Sequence, residues 1–331
     1  VGAYVPEWVV KNDDLKDMME TSDEWIRQRT GIEERRWVRF PGETTSDLAL
    51  QASERAIAAA GIDKSAIGLI VFATLSPDHD FPGTGCFLQT KLGLSGVPAL
   101  DIRQQCSGFL YGLSVADQYV RNGVYEHVLV VGAEVHSLGL DKTPRGRDVS
   151  VLFGDGAGAV VLSATTVKDE RRDPHVWGTY LHADGSGARE LWLPAPGVAN
   201  GRPARLDEVM VQEGLHFPKM NGKKVFTTAV RRMAETLAHC LEQHRMKPAD
   251  VDLFLFHQAN LRINEAVAQQ LGLPSERVFN TIQKYGNTTA ATIPIGMHDA
   301  VQAGRLKPGM TVAMAAFGSG FTWASGLLRF G

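Results

Sequence analysis

The stretch LDIRQQCSGFLYGLSVADQYV, residues 100–120, decides how the chain is read. An apolar, strand-like run from Val97 to Ile102 ends, two glutamines follow, and Cys106 then stands at the first turn of a helical pattern. Phe109, Leu110, Leu113, Ala116, Tyr119 and Val120 recur with helical periodicity, and Gly123 ends the run. A helix N-terminus has unpaired N–H groups and a partial positive charge, and both favour thiolate over thiol. Cys106 is therefore expected to be more reactive than a free cysteine. A lone buried cysteine is as readily an inert small hydrophobe, so the rest of the chain has to decide.

The chain echoes itself. GIDKSAIGLIVFAT (61–74) resembles RMKPADVDLFLFHQ (245–258), with Gly68 aligned to Asp252, an offset of 252 − 68 = 184. SVADQYVRNGVYEHVLVVGAE (114–134) resembles IGMHDAVQAGRLKPGMTVAMAAFG (295–318), with Gly123 aligned to Gly304, an offset of 304 − 123 = 181. FGDGAGAVVL (153–162) pairs with FGSGFTWASGLLRF (317–330). Three echoes in one order predict a duplicated β-α-β-type half with parallel sheets covered by helices. The second offset puts Asn287 at the place equivalent to Cys106 (106 + 181 = 287). The first puts His257 opposite Ala73, at the carboxyl end of a core strand, where α/β sheets collect ligands. If the halves pack about a pseudo-twofold, the three residues converge.

Composition narrows the class. The 331 residues are 44% hydrophobic and 21% charged with a net charge of −3, which gives no general pull towards nucleic acid or acidic membranes. No apolar run reaches the roughly 18 residues of a membrane span, and no signal peptide is visible. The chain opens at Val1 without a methionine, so a few residues of a first strand are expected to precede it. Three scattered cysteines form no CxxC pair; a reducing compartment and no structural metal follow, with Cys86 and Cys240 read as packing residues. DHDF (78–81) is read as a solvated loop, and the glycines of FGDGAGAVV precede a strand, not the helix a dinucleotide fingerprint needs. The Gly- and Pro-rich segment 185–209 is read as a loop or linker.

With those residues in view, the sequence resembles the β-ketoacyl-acyl carrier protein synthase III family of the thiolase superfamily. The motifs that carry the likeness are TSDEWIRQRTGIEER (21–35), CSGFLYGLSVADQYV (106–120), FGDGAGAVVL (153–162), HQANLRI (257–263), GNTTAA (286–291) and AFGSGFTWAS (316–325). The resemblance implies an α/β, thiolase-like duplicated α-β-α-β-α layered fold with pseudo-twofold halves. Residues 1–165 would carry the nucleophile Cys106, and 166–331 would carry His257 and Asn287. It implies a decarboxylative condensation of an acyl-CoA primer with malonyl-acyl carrier protein, starting fatty acid synthesis in the cytoplasm, with no permanently bound cofactor. A related synthase for longer acyl chains or a secondary metabolite is the alternative.

The site residues follow from the same resemblance. Cys106, His257 and Asn287 form the triad, and backbone N–H groups of Cys106 and Ser319 form the oxyanion hole. Enolate stabilisation falls to Nε2–H of neutral His257 and the amide of Asn287. Trp25, Arg29 and Arg145 bracket the nucleotide end of coenzyme A, and Gly222, Phe226 and Asn260 follow the pantetheine tunnel. Phe153 and Phe317 belong to the acyl pocket, with Phe81 reaching across a homodimer. The cluster Lys223, Lys224, Arg231, Arg232 and Arg262 is read as a docking patch for acidic acyl carrier protein. Two departures stand out: Ser319 replaces a family glycine and carries strain if its φ is positive, and 187–216 is longer than in short-chain members. A papain-like protease shares the Cys–His–Asn order, spaced 151 and 30 here, but not the duplicated α/β pattern. A non-catalytic partner subunit is disfavoured by the intact triad.

Overall fold

The computed structural model describes every residue except Asn200, which lies within the expected loop 185–209. Its main strands are β1 (Gly2–Tyr4), β2 (Leu69–Ala73), β3 (Ala99–Ile102), β4 (His127–Glu134), β5 (Gly156–Ser163), β6 (His175–Ala183), β7 (Leu253–Phe256), β8 (Thr311–Gly318) and β9 (Thr322–Arg329). The helices used below are α1 (Asp23–Thr30), α2 (Thr45–Ala60), α3 (Thr84–Leu92), α4 (Gly108–Arg121), α5 (Gly222–Gln243), α6 (Leu261–Gln270) and α7 (Thr292–Gln302).

Two main sheets form, in the orders β1-β5-β4-β2-β3 and β7-β8-β9-β6. The alternation of side chains along a strand shows how they stack. In β2, Leu69 and Val71 face one way, into a cluster with Phe109, Leu110 and Leu113 of α4, while Ile70 and Phe72 face α2. In β7, Leu253 and Leu255 join the first cluster, and Phe254 and Phe256 pack with Ala229, Met233 and Leu237 of α5. Helices α4 and α7 thus lie between the sheets, and α2 and α5 cover the outer faces. The result is an α-β-α-β-α stack with its largest core in the middle layer. Among the described residues, no helix is long and apolar enough to cross a membrane.

The duplication is exact enough to count. From β2 to β7 the offset is 253 − 69 = 184, from α4 to α7 it is 292 − 108 = 184, and from β4 to β8 it is 311 − 127 = 184. The offset of 181 read at Gly123 and Gly304 is a local effect: α7 has 11 residues and α4 has 14, so its glycine arrives three residues early. The place equivalent to Cys106 is therefore Ala290 (106 + 184 = 290), and Asn287 sits three residues upstream of it. The sheets are also mixed, not parallel. β2 runs parallel to β3 and β4, but β5 is antiparallel to β4, and β9 to β8. The three residues between β8 and β9 leave no room for the crossover that a parallel pair needs.

Gly123 has φ +69, a left-handed conformation that suits glycine, and its N–H bonds to the carbonyl of Val120 to close α4. The segment after β6 is mostly loop, as expected. It forms the two-residue strands Leu191–Trp192 and Lys219–Met220, which pair with each other, and is tied back by Arg205 to Asp80 at 2.6 Å. Cys240 is buried as expected, whereas Cys86, read as a packing residue, is exposed on α3.

Candidate active site

Cys106 lies in a 3-10 turn, Gln105–Ser107, that runs directly into α4. Gln105 takes a left-handed φ of +45, so the chain bends sharply just before the thiol. Ser107 pins the turn, its hydroxyl bonding to the Gln104 carbonyl at 2.9 Å and lying 2.7 Å from Thr322 Oγ1. The end of β8 presses on the other side. A Cβ at Gly318 would meet the Cys106 nitrogen at 2.9 Å and its Cβ at 3.0 Å, so only glycine allows this approach. The backbone N–H groups of Cys106 and Ser319 lie close enough to the sulfur to favour its thiolate form.

Burial works against the helix-tip expectation of a ready thiolate. Burial pushes the Cys106 thiol up to about 12, the Glu134 carboxylate adds to the rise, and the two N–H groups only partly oppose it. Cys106 rests as a thiol and needs a proton acceptor. Its alkylation by iodoacetamide is expected to rise about tenfold per pH unit up to at least pH 10. A plateau near neutrality, measured by intact mass against time, would restore the thiolate.

His257 continues β7, its N–H bonding to the Ala315 carbonyl at 2.9 Å. Burial holds its imidazole neutral, with its pKa down at about 3. The tautomer follows from its partners. Thr292 Oγ1 donates its one proton to the Thr289 carbonyl at 3.1 Å, so at 2.8 Å from His257 it accepts from Nδ1–H. Nε2 is then a bare lone pair, buried and without a partner. The Thr292 contact favours Nδ1–H over the expected Nε2–H form. Gln258 bonds through Oε1 to the N–H groups of Thr281 and Ile282, tying the end of β7 to the turn that leads to Asn287.

Asn287 is held at every polar atom but one. Its N–H bonds to the Leu152 carbonyl at 2.8 Å, its carbonyl accepts from Gly154 at 3.1 Å, and its Oδ1 accepts from the Thr289 N–H at 2.8 Å. That leaves its amide N–H groups to donate. Cys106, His257 and Asn287 all line one cavity of about 360 Å³. They are buried, whereas Trp25 is half-buried and Arg29 is exposed at the same cavity's other end. Gly222, Phe226, Asn260, Phe153 and Phe317 line the space between. Asn260 has its own polar atoms engaged, capping α6 and bonding to the Arg29 carbonyl at 2.9 Å.

Three sequence expectations are corrected here. Arg145 does not reach Trp25; it is paired with Asp141 at 2.6 Å and stacks on Phe217. Arg147, two residues on, stands 4.5 Å from the Trp25 ring centroid, with Arg29 at 4.4 Å. Arg232 leaves the basic patch, since it pairs with Glu235 at 2.9 Å and covers Trp323. Ser319 has no positive φ, so it carries none of the expected strain; the left-handed residue is Gly320, at +136. The Ser319 hydroxyl donates to the Leu191 carbonyl, fastening the segment that roofs the cavity. Lys223, Lys224, Arg231 and Arg262 remain exposed, Arg262 over Phe226. Phe81 is 83% exposed and does not line this cavity.

Sequence reading missed Arg147, Gln258, Thr289, Thr292 and the buried pair Glu134 and His136. The last two close an apolar strand and carry no motif.

Fold and cavity together define a layered α/β protein with a buried cysteine, histidine and asparagine at the inner end of a tunnel. The 3-oxoacyl-[acyl-carrier-protein] synthase III profile matches residues 100–185, and its C-terminal companion matches 241–330. The chain is 44% identical to the β-ketoacyl-[acyl-carrier-protein] synthase III of Escherichia coli K12 over 99% of its length and 98% of that protein. It superposes on the 3-oxoacyl-[acyl-carrier-protein] synthase III of Aquifex aeolicus with a TM-score of 0.88 at 41% identity, covering 99% of this chain and 98% of that one. The priming β-ketosynthase of the R1128 polyketide pathway gives a TM-score of 0.89 at 30% identity, covering 99% and 94%. The chain belongs to the β-ketoacyl-[acyl-carrier-protein] synthase III family, within the thiolase superfamily.

Proposed function

We propose that the protein condenses an acyl-CoA primer with malonyl-acyl carrier protein, releasing CO₂ and giving a 3-oxoacyl-acyl carrier protein that starts fatty acid synthesis. The observation that carries this reading is the meeting of Cys106, His257 and Asn287 at the buried end of one cavity. In the first half, Cys106 Sγ attacks the acyl-CoA carbonyl. Its proton passes to the bare Nε2 of His257 and on to the departing coenzyme A thiolate, so no net proton is used. Once the sulfur is acylated, the N–H groups of Cys106 and Ser319 are free to hold oxyanions.

In the second half, malonyl thioester loses CO₂, the enolate attacks acyl-Cys106, and the thiol is regenerated. Malonyl carries a carboxylate and the products are neutral, so this half takes up one proton. That proton enters at His257 Nε2, whose basicity rises as the negative charge of the enolate develops beside it. While bound there it donates to the enolate oxygen together with the Asn287 amide, and it then passes to the Cys106 thiolate released when the carbanion takes the acyl group. Removing CO₂ makes the carbanion, so no base is needed.

The mouth suits coenzyme A. Trp25 offers a ring face for adenine, and Arg29 and Arg147 offer charge for phosphates. Two halves, 1–165 and 166–331, each supply one sheet around this site, and the enzyme works in the cytoplasm without a resident cofactor. The second reading, a synthase priming a secondary metabolite, is favoured by the likeness to the polyketide ketosynthase. A panel of acyl-CoAs with malonyl-carrier protein, read by mass spectrometry of the carrier-bound product, tests both. No 3-oxoacyl product with any primer would refute the condensing role.

The carrier protein docks on Lys223, Lys224, Arg231 and Arg262. Lys223 and Lys224 occupy the first turn of α5, where the helix dipole disfavours cations, so their place asks for an anionic partner. Lys223→Glu or Arg262→Glu should raise the KM for malonyl-carrier protein several-fold at low salt. The effect should fade near 0.5 M salt, where the screening length is about 4 Å. An unchanged KM at low salt would remove the docking role. A homodimer forms through the open edge of β3, where Leu100 is 40% exposed, and brings Phe81 to the partner's acyl pocket. Light scattering should give about twice the 36.0 kDa chain mass; a stable monomer at micromolar concentration would contradict it.

A further inference from the structure

We propose that Thr289 is a positioning residue that aligns Asn287 and His257 together, through its own backbone, and is itself anchored by its hydroxyl on buried His136. The inference deepens the proposed function and rests on it. Thr289 is fully buried, in the 3-10 turn that precedes α7. Its N–H bonds to Asn287 Oδ1 at 2.8 Å, which turns the Asn287 amide donors towards the cavity. Its carbonyl accepts from Thr292 Oγ1 at 3.1 Å, which obliges Thr292 to accept from His257 Nδ1–H and leaves Nε2 bare. One peptide unit on either side of a single α-carbon therefore sets the amide flip of one group and the tautomer of the other.

The conformation needs holding. Thr289 has φ +51, a region that β-branched residues rarely occupy and that persists only where the surroundings over-determine it. Two contacts do so. Thr289 Oγ1 meets Nε2 of His136, whose ring packs on the cavity-lining Phe153 at a centroid distance of 4.8 Å. The next residue, Ala290, donates its N–H to Glu134 Oε1 at 3.4 Å, and Glu134 Oε2 stands 3.9 Å from His136 Nε2. The end of β4 thus supplies a buried polar bracket for the turn.

The test uses the full-length enzyme, with kcat and KM for condensation and ¹⁵N-histidine spectra assigned by difference against His257→Ala. Wild type should show His257 protonated at Nδ1 and bare at Nε2. Thr289→Ala, which keeps the backbone groups but loses the anchor, should lower kcat about 10–100-fold. Its KM for malonyl-carrier protein should stay within about twofold, and its His257 signals should move towards mixed tautomers. Thr289→Ser should restore both. Thr292→Val, nearly isosteric, should disturb the His257 tautomer alone and slow acylation of Cys106. Wild-type kcat and tautomer in Thr289→Ala would overturn the proposal. So would a loss of kcat that Thr289→Ser fails to restore, or one that tracks a fall in folded fraction while the His257 signals stay unchanged. A wild-type enzyme that makes no 3-oxoacyl product, yet shows the expected His257 signals, would refute the condensing function and leave the positioning geometry standing.

Discussion

Cys106→Ala should lower condensation by about 10⁴-fold or more, because no acyl-enzyme can form and no other group in the cavity replaces the sulfur. Slow loss of CO₂ from malonyl thioester should persist in this variant. The decarboxylating donors, Asn287 and a proton on His257 Nε2, do not depend on the thiol. Parallel assays of CO₂ release and of 3-oxoacyl product separate the two activities. Condensation near the wild-type rate would place the nucleophile elsewhere.

Asn287→Ala should slow decarboxylation by about 10²–10³-fold, the usual cost of one oxyanion donor. Acylation of Cys106 should stay within a few-fold, since the Asn287 amide plays no part in moving the thiol proton. His257→Ala should slow decarboxylation to a similar degree and should also slow acylation. On the proposed route, the unpartnered Nε2 is the acceptor for a thiol that burial pushes up to about 12. This split between the two variants follows from the tautomer set by Thr292 and Thr289. Equal acylation rates in both variants would show that another group takes the thiol proton.

Much of this site was legible in the residues. Cys106 and His257 stand where elementary α/β geometry collects chemistry, at a helix tip and a strand end, and the internal repeat predicted their approach. The middle helices were readable from their apolar periodicity. Other features depend on packing that one-dimensional pattern does not carry. A helix tip speaks for thiolate only while solvent is near, and burial opposes it at Cys106. Arg145 and Arg147 share one short motif; which of them faces Trp25 is decided by the 3-10 turn Pro144–Gly146 and the helical turn after it. Arg232 looked free because its partners, Glu235 and Trp323, lie one turn along α5 and on strand β9. Strand direction was misjudged for β5 and β9 because apolar runs look alike in either direction, and only the tight turn after β8 excludes a parallel pair.

Glu134 and His136 had no sequence signal, yet they bracket the turn that aligns the reactive groups. Burial raises the Glu134 carboxyl to about 7 even against several hydrogen bonds, and holds His136 neutral, with its pKa down at about 3. For His136 and His257, a depressed folded pKa means that the unfolded chain binds more protons between about pH 3 and 6.5. Their contribution to stability is complete above pH 6.5 and is lost progressively as the pH falls towards 3.

The central claim is that Cys106 carries the acyl group between the two substrates. Peptide-mapped mass spectrometry tests it: acyl-CoA alone first, then a chase with malonyl-carrier protein. The predicted result is one acyl adduct on the peptide containing Cys106, which disappears in the chase as 3-oxoacyl-carrier protein appears in equal amount. Product formed with Cys106 never acylated, or an adduct that the chase leaves in place, would contradict it.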